Sequence, residues 1–261
     1  MEKNLKSIII ALDDGHGTDT AGKETPAFSD GRKMKENEFN AATAGYLKEA
    51  LERNGFSVLM VAPEEKDTPL QTRVQRANKA NAAVYISIHA NAYGTAWNDA
   101  NGIETIIYEK VMGDSDTYRI AKGIHDELIR ECGRRNRGIK RRGDLYVLEA
   151  TKMHAVLVEC GFMTNPEEGK LLLDEGYRRK CAEAICRGVC GFYGAAYKKK
   201  ALAPGERMQE EADIPDYGQE LISDMVRLNC FGDERNMNLS EDMLRAMVLM
   251  DRYRKAREAE K

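Results

Sequence analysis

The chain has 261 residues, 42% of them apolar, which supports one large domain with a small appendage and excludes a chain disordered throughout. Its 40 basic and 43 acidic side chains give a net charge of -3, unlike a strongly basic nucleic-acid binder. No apolar run approaches the roughly 20 residues that a membrane helix needs. The first run, SIIIAL, stops at Asp13 and Asp14. It is too short for the apolar region of a signal peptide, so the expectation is synthesis without export and retention in the cytoplasm unless another factor releases the protein.

In chain order, Ser7–Leu12 reads as a buried strand. Lys35–Asn54 reads as a helix with Phe39, Thr43, Tyr46, Leu47, Ala50 and Leu51 on one face, ended by Gly55. Ser57–Val61 follows as a strand, Gln71–Ala80 as a helix, Ala83–His89 and Gly102–Tyr108 as strands, and Ser115–Cys132 as a helix. Leu145–Leu148 and Ala155–Glu159 read as strands and Tyr177–Tyr193 as a helix. This alternation predicts an α/β domain, a twisted, mixed and mostly parallel sheet with helices on both faces. A small C-terminal helical appendage follows, with Tyr217–Asn229 amphipathic and Ser240 the N-cap of a second helix bearing Leu244, Met247, Val248 and Met250.

Charge and composition place the boundaries. Residues 201–261 carry 14 acidic and 9 basic side chains, against 29 and 31 in residues 1–200. The join AAYKKKALAPGERMQEEADIPDYG is linker-like. The expected organisation is a domain over residues 1–197, a linker over 198–214 and a small helical domain over 215–261. Six cysteines in a chain with no export signal read as buried free thiols rather than a disulfide framework. Residues 134–142, RRNRGIKRR, hold six basic side chains; a solvated loop and a surface attracting carboxylates and phosphates are equally open readings.

Two of the four histidines sit just past strands, where ligands gather in α/β sheets. His16 lies in Asp14-Gly15-His16-Gly17, and His89 closes AVYISIH. Glu36 starts the first long helix, where the helix dipole favours a carboxylate. Two histidines and a glutamate make a catalytic type of zinc set. Glu159, at the end of AVLVE, is a candidate general base. On spacing alone this signal is weak. Alternation along the strand puts His154 on the side opposite Glu159, a structural or surface position; His125 sits mid-helix and reads as structural. Glu104, in GIETIIY, stays open as a neighbour of the site.

The strings are more specific. DDGHG, KENEFN, SIHANA, NGIETIIY and LEATKMHAVLVECGFMTNPEE follow one another. Together they closely resemble the zinc-dependent N-acetylmuramoyl-L-alanine amidases of bacterial cell-wall turnover and phage lysis, over residues 6–194. The resemblance implies one zinc ion per chain held by His16, Glu36 and His89, with Glu159 catalytic. It also implies peptidoglycan as substrate and metal-assisted hydrolysis of the bond between N-acetylmuramic acid and L-alanine. The pattern departs at Asp14 and at His154, where proline is usual; neither is a ligand, but the loop near His16 loses a rigid residue. Two other readings are a zinc peptidase on the stem peptide and a wall-binding protein with a dead site. Without a signal peptide, a phage or prophage endolysin that waits in the cytoplasm and acts on the wall after release is expected; a host enzyme exported by another route fits the same sequence, and neither nucleic acid nor membrane is expected as partner. The tail resembles the helix–turn–helix part of surface-layer-homology modules, so wall binding, self-association and simple packing stay open for it.

Overall fold

In the computed structural model, the described residues are 4–200, 207–208, 214, 218, 221–223, 225 and 239–259. The chain divides into two compact units, Met1–Lys198 and Lys199–Lys261. No helix among the described residues is long and apolar enough to cross a membrane.

In the first unit, strands β1 (Ile9–Asp13), β2 (Ser57–Met60), β3 (Val84–Asn91), β4 (Ile103–Tyr108), β5 (Asn136–Arg142) and β6 (His154–Phe162) form one sheet in the order β2-β1-β3-β6-β4-β5. The pairs β1–β2, β1–β3, β3–β6 and β4–β5 are parallel, and only β4–β6 is antiparallel. The helices are α1 (Glu36–Arg53), α2 (Leu70–Lys79), α3 (Asp116–Cys132), α4 (Tyr146–Ala150), α5 (Pro166–Leu171) and α6 (Glu175–Tyr193). This is the mixed, mostly parallel sheet expected from the alternation.

Strand alternation sorts the core. Ile10, Leu12, Val84, Ile86, Ile88, Val156 and Val158 join the apolar residues of α1, α3 and α6. Ala11, Tyr85, Ala155 and Leu157 point the other way, to a smaller core with Val74 and Ala77 of α2 and Val147 and Leu148 of α4. Every central strand is thus buried on both faces, which is why each reads as a nearly continuous apolar run. Caps fix the helix starts: Ser115 accepts from the Tyr118 N–H and Asp174 from the Tyr177 N–H.

Three segments differ from the sequence reading. Leu145–Leu148 does not form a strand. Tyr146–Ala150 is one helical turn that buries Val147 and Leu148, and a four-residue apolar run has no period to separate the two. The basic segment is neither loop nor patch alone: Asn136–Arg142 is edge strand β5, paired with β4. Helix α5 starts at Pro166 behind an Asn165 cap, a signal left unread. Of the six cysteines, Cys132, Cys160, Cys181, Cys186 and Cys190 are free thiols, all but Cys132 buried; Cys230 lies outside the described residues.

In the second unit, Arg207–Met208 (β7) pairs with Leu239–Ser240 (β8), and α7 spans Glu241–Ala259. The Ser240 hydroxyl accepts from the Met243 N–H, as an N-cap does. Leu244 and Val248 are buried with Ile214, Ile222 and Leu239, while Met250 is exposed. Most of the 198–214 segment and of the expected helix Tyr217–Asn229 lies outside the described residues.

Helices α3 and α6 cross backbone to backbone at Gly123 and Gly188. A Cβ on Gly188 would lie 2.5 Å from Ile124 Cα and 2.6 Å from its nitrogen, and main chain cannot step aside as a side-chain end can. Gly188→Ala is therefore expected to destabilise by about 1–3 kcal/mol through overpacking. Gly45→Ala, in α1 with nothing within 4 Å, should stabilise by about 0.5–1 kcal/mol. Denaturant unfolding of both variants checks the pair; equal effects would refute the close crossing.

Candidate metal centre

The site forms where β1, β3 and β6 end. Beyond β1 the chain turns through Gly15 and His16, both with positive φ, 37° and 60°. A Cβ on Gly15 would stand 2.5 Å from His89 Cε1, so only glycine lets this loop lie against the imidazole. His16 is a non-glycine residue in the left-handed region, a conformation that persists only where surroundings enforce it. They do: Asn37 donates to the His16 carbonyl at 3.1 Å and Asn40 to the Gly15 carbonyl at 3.1 Å. Arg73 donates to the His16 carbonyl at 3.4 Å.

Glu36, the first residue of α1, is 2% exposed. Its Oε1 lies 2.9 Å from His89 Nδ1 and accepts from the Ala90 N–H at 3.2 Å. Its Oε2 lies 3.4 Å from His16 Nε2 and 3.8 Å from Lys23 Nζ. The two imidazole rings meet edge to face with centroids 5.1 Å apart. One ligand atom from each of His16, Glu36 and His89 falls within 4.8 Å of the others. The structure thus brings together all three residues that the sequence singled out as ligands.

The electrostatics call for a cation. Burial holds His16 down to about 4, against the pull of Glu36. Burial pushes the Glu36 carboxyl up, but the His89 hydrogen bond and the charges of both histidines outweigh it and hold it at about 2. Burial also lowers His89, and Glu36 more than reverses this. A buried carboxylate facing two imidazole nitrogens is a place that suits a cation. The donor set, two imidazoles and one carboxylate, is that of a divalent transition metal with open coordination positions.

Glu159 lies beside His89 in the β3–β6 register and beside Glu104 in the β4–β6 register. Its Oε2 is closed off from solvent with no hydrogen-bond partner. Burial pushes it up to about 8, with Glu36 and Glu104 adding to the rise and His89 opposing it. Glu104 itself is held by Asn91 at 3.0 Å and Arg137 at 2.7 Å. A cleft of about 760 Å³ gives access to His16, Glu36, His89 and Glu159, with Lys23 and Arg142 among its other lining residues. His154 faces away, hydrogen bonded to Thr117 at 2.9 Å and packed edge-on to Phe192. His125 is buried between Thr105 and Asn136.

Sequence reasoning passed over the support behind the cluster. Asp13 and Arg73 form an ion pair, each side chain no more than 2% exposed. Tyr85 and Ser87 donate to Asp13 Oδ2 at 2.8 and 2.7 Å. Arg73 also donates to the Thr68 carbonyl at 2.7 Å and to Asp67 at 2.7 Å. A legible signal existed for Ser87, which shares a strand face with His89; nothing in α2 marks Arg73 as buried.

The family model described as N-acetylmuramoyl-L-alanine amidase matches residues 10–191. The N-acetylmuramoyl-L-alanine amidase LytC of Bacillus subtilis is 34% identical over 184 residues, covering 70% of this chain and 35% of LytC. The endolysin of Bacillus phage SPP1 is 31% identical over 202 residues, covering 76% of this chain and 70% of that protein. The N-acetylmuramoyl-L-alanine amidase structure from Clostridium difficile 630 superposes with a TM-score of 0.65 at 29% identity, over 72% of this chain and 98% of that one.

Burial pushes the Asp13 carboxyl up, but the Arg73 charge and the bonds from Ser87 and Arg73 bring it below its ordinary value of 3.8. A depressed folded value contributes stability that is present above pH 3.8 and lost as pH falls through the lower folded value. Asp13→Asn, which strands a buried guanidinium, should cost about 3–5 kcal/mol at pH 7. The gap to the unaltered protein should narrow below pH 4, as unfolding free energies at both pH values would show.

Proposed function

Given that the chain belongs to the N-acetylmuramoyl-L-alanine amidase family, we propose that it cuts peptidoglycan between N-acetylmuramic acid and L-alanine. One zinc ion held by His16, Glu36 and His89 and a proton-transferring Glu159 would do the work. The observation that carries this reading is the convergence of two imidazoles and a buried carboxylate in the same cleft as an unpartnered glutamate. Zinc at such a site supplies Lewis acidity toward a carbonyl and acidifies water.

The chain's own residues supply the rest. Glu36 and Glu159 are carboxylates in one cleft whose surroundings push them in opposite directions, to about 2 and about 8. The first stays ionised and suits a ligand; the second has the proton affinity of a group that takes and returns a proton near neutral pH. Glu159 would remove the proton from the attacking water and deliver it to the leaving amine of L-alanine. Lys23, 3.8 Å from Glu36, and Arg142, hydrogen bonded to Asp144 at 2.9 Å, also line the cleft. Similarity to the SPP1 endolysin supports a phage or prophage lysin among the roles open to a wall amidase.

The test is a digest of purified peptidoglycan with and without a chelator, scoring new N-terminal alanine and new reducing ends. Chelator-sensitive N-terminal alanine without reducing ends is expected. Release of other amines would favour a stem-peptide peptidase, and no cleavage a binding protein. Glu159→Gln should lose about 10²–10⁴ in kcat while keeping one zinc per chain; full activity in that variant would refute its role.

A further inference from the structure

We propose that Asp13, acting through Ser87, dictates which nitrogen of His89 is offered to the metal; this rests on the zinc reading above. Asp13 and Ser87 are register partners on adjacent strands β1 and β3, and Ser87 and His89 lie two residues apart on one strand face. The Ser87 hydroxyl lies 2.7 Å from Asp13 Oδ2 and 3.1 Å from His89 Nε2. His89 Nδ1, on the other side of the ring, lies 2.9 Å from Glu36 Oε1. The three groups form a chain that runs from the buried Asp13 and Ser87 to His89 at the metal cluster.

The polarity of that chain is forced. The Arg73 guanidinium against Asp13 Oδ1 keeps the carboxyl ionised, and an ionised carboxylate only accepts hydrogen bonds. Ser87 has one hydroxyl proton, and Asp13 takes it. Ser87 can then offer His89 Nε2 nothing but lone pairs, so Nε2 carries the ring proton and donates. The neutral ring is left with its lone pair on Nδ1, the nitrogen turned toward Glu36. Without this arrangement the ring would be free to carry its proton on Nδ1, where it would occupy the metal's place. Arg73 adds a second link by donating to the carbonyl of His16, so one ion pair steadies both histidines. Asp13, Ser87 and Arg73 are positioning residues.

Tyr85 provides the internal control. Its hydroxyl donates to the same Asp13 oxygen at 2.8 Å but has no part in the path to His89. Ser87→Ala breaks the path; Tyr85→Phe breaks an equally short bond beside it. Zinc dissociation constants for the full-length, metal-stripped protein are measured by competition with a chromophoric chelator, with thermal melts of the metal-free variants alongside. Ser87→Ala is expected to bind zinc about 10–100-fold more weakly, and Tyr85→Phe as tightly as the unaltered protein. Nitrogen-15 spectra of the zinc-loaded unaltered protein should show His89 protonated on Nε2 and coordinated through Nδ1. Unchanged affinity in Ser87→Ala, equal weakening in both variants, or coordination through Nε2 would each overturn the proposal while leaving the zinc reading intact. An unaltered protein that takes up no zinc would overturn both. Should Ser87→Ala not fold, the spectra decide.

Discussion

The structure depends on an ion pair withdrawn from water at the carboxyl edge of the sheet. Burying Asp13 and Arg73 carries a desolvation cost that mutual attraction offsets only when every remaining lone pair and N–H finds a partner. Here they do. Asp13 receives Arg73, Tyr85 and Ser87, and Arg73 reaches Thr68, Asp67 and the His16 carbonyl. Apolar residues of similar volume would fill that space at less electrostatic cost. They would not lock β1, β3, α2 and the His16 loop into one arrangement, and that arrangement brings two imidazoles and a glutamate from distant sequence positions to one point.

From that constraint the chemistry follows by environment rather than residue type. Glu36 and Glu159 are the same side chain. Burial pushes the Glu36 carboxyl up, but its contact with His89 and the charge around it hold it at about 2. Glu159 has an oxygen sealed from solvent without a donor, and two further carboxylates beside it. One cleft thereby contains one carboxyl held low and one pushed up, the division of environments on which the proposed roles rest. The parallel β1, β3 and β6 make this economical, since their carboxyl ends open on the same side of the sheet.

The sequence made the site easier to read than the elements around it. His16, His89, Glu36 and Glu159 stand at strand ends or a helix start, a weak signal by spacing alone; the strings around them, through the family resemblance, singled them out, and the structure gathers His16, Glu36 and His89 with Glu159 in the same cleft. The central strands were legible because burial on both faces leaves continuous apolar runs. Residues 136–142 were not, because β5 is an exposed edge strand whose conformation comes from pairing with β4 and not from its own composition. Leu145–Leu148 failed for the opposite reason: its apolar content is strand-like, but its contacts with α2 make it a helical turn. Arg73 was invisible because a buried arginine and a solvated one read alike until the partner across the sheet is known.

Asp14 shows how the site tolerates a departure from the usual pattern. A proline there would stiffen the turn into His16 by fixing φ. Asp14 supplies no such restraint; it is buried, with Oδ1 unpartnered, and burial followed by the charge of Asp13 pushes it up to about 6. Yet His16 still holds its left-handed conformation, because the restraint comes from outside the loop. Asn37, Asn40 and Arg73 grip the Gly15 and His16 carbonyls from α1 and α2. Three donors on two rigid helices fix the backbone after Asp14, where His16, the proposed ligand, sits. The residue before the turn is thereby released from a conformational duty, and an unfavourably buried carboxyl can stand where a ring would otherwise be needed.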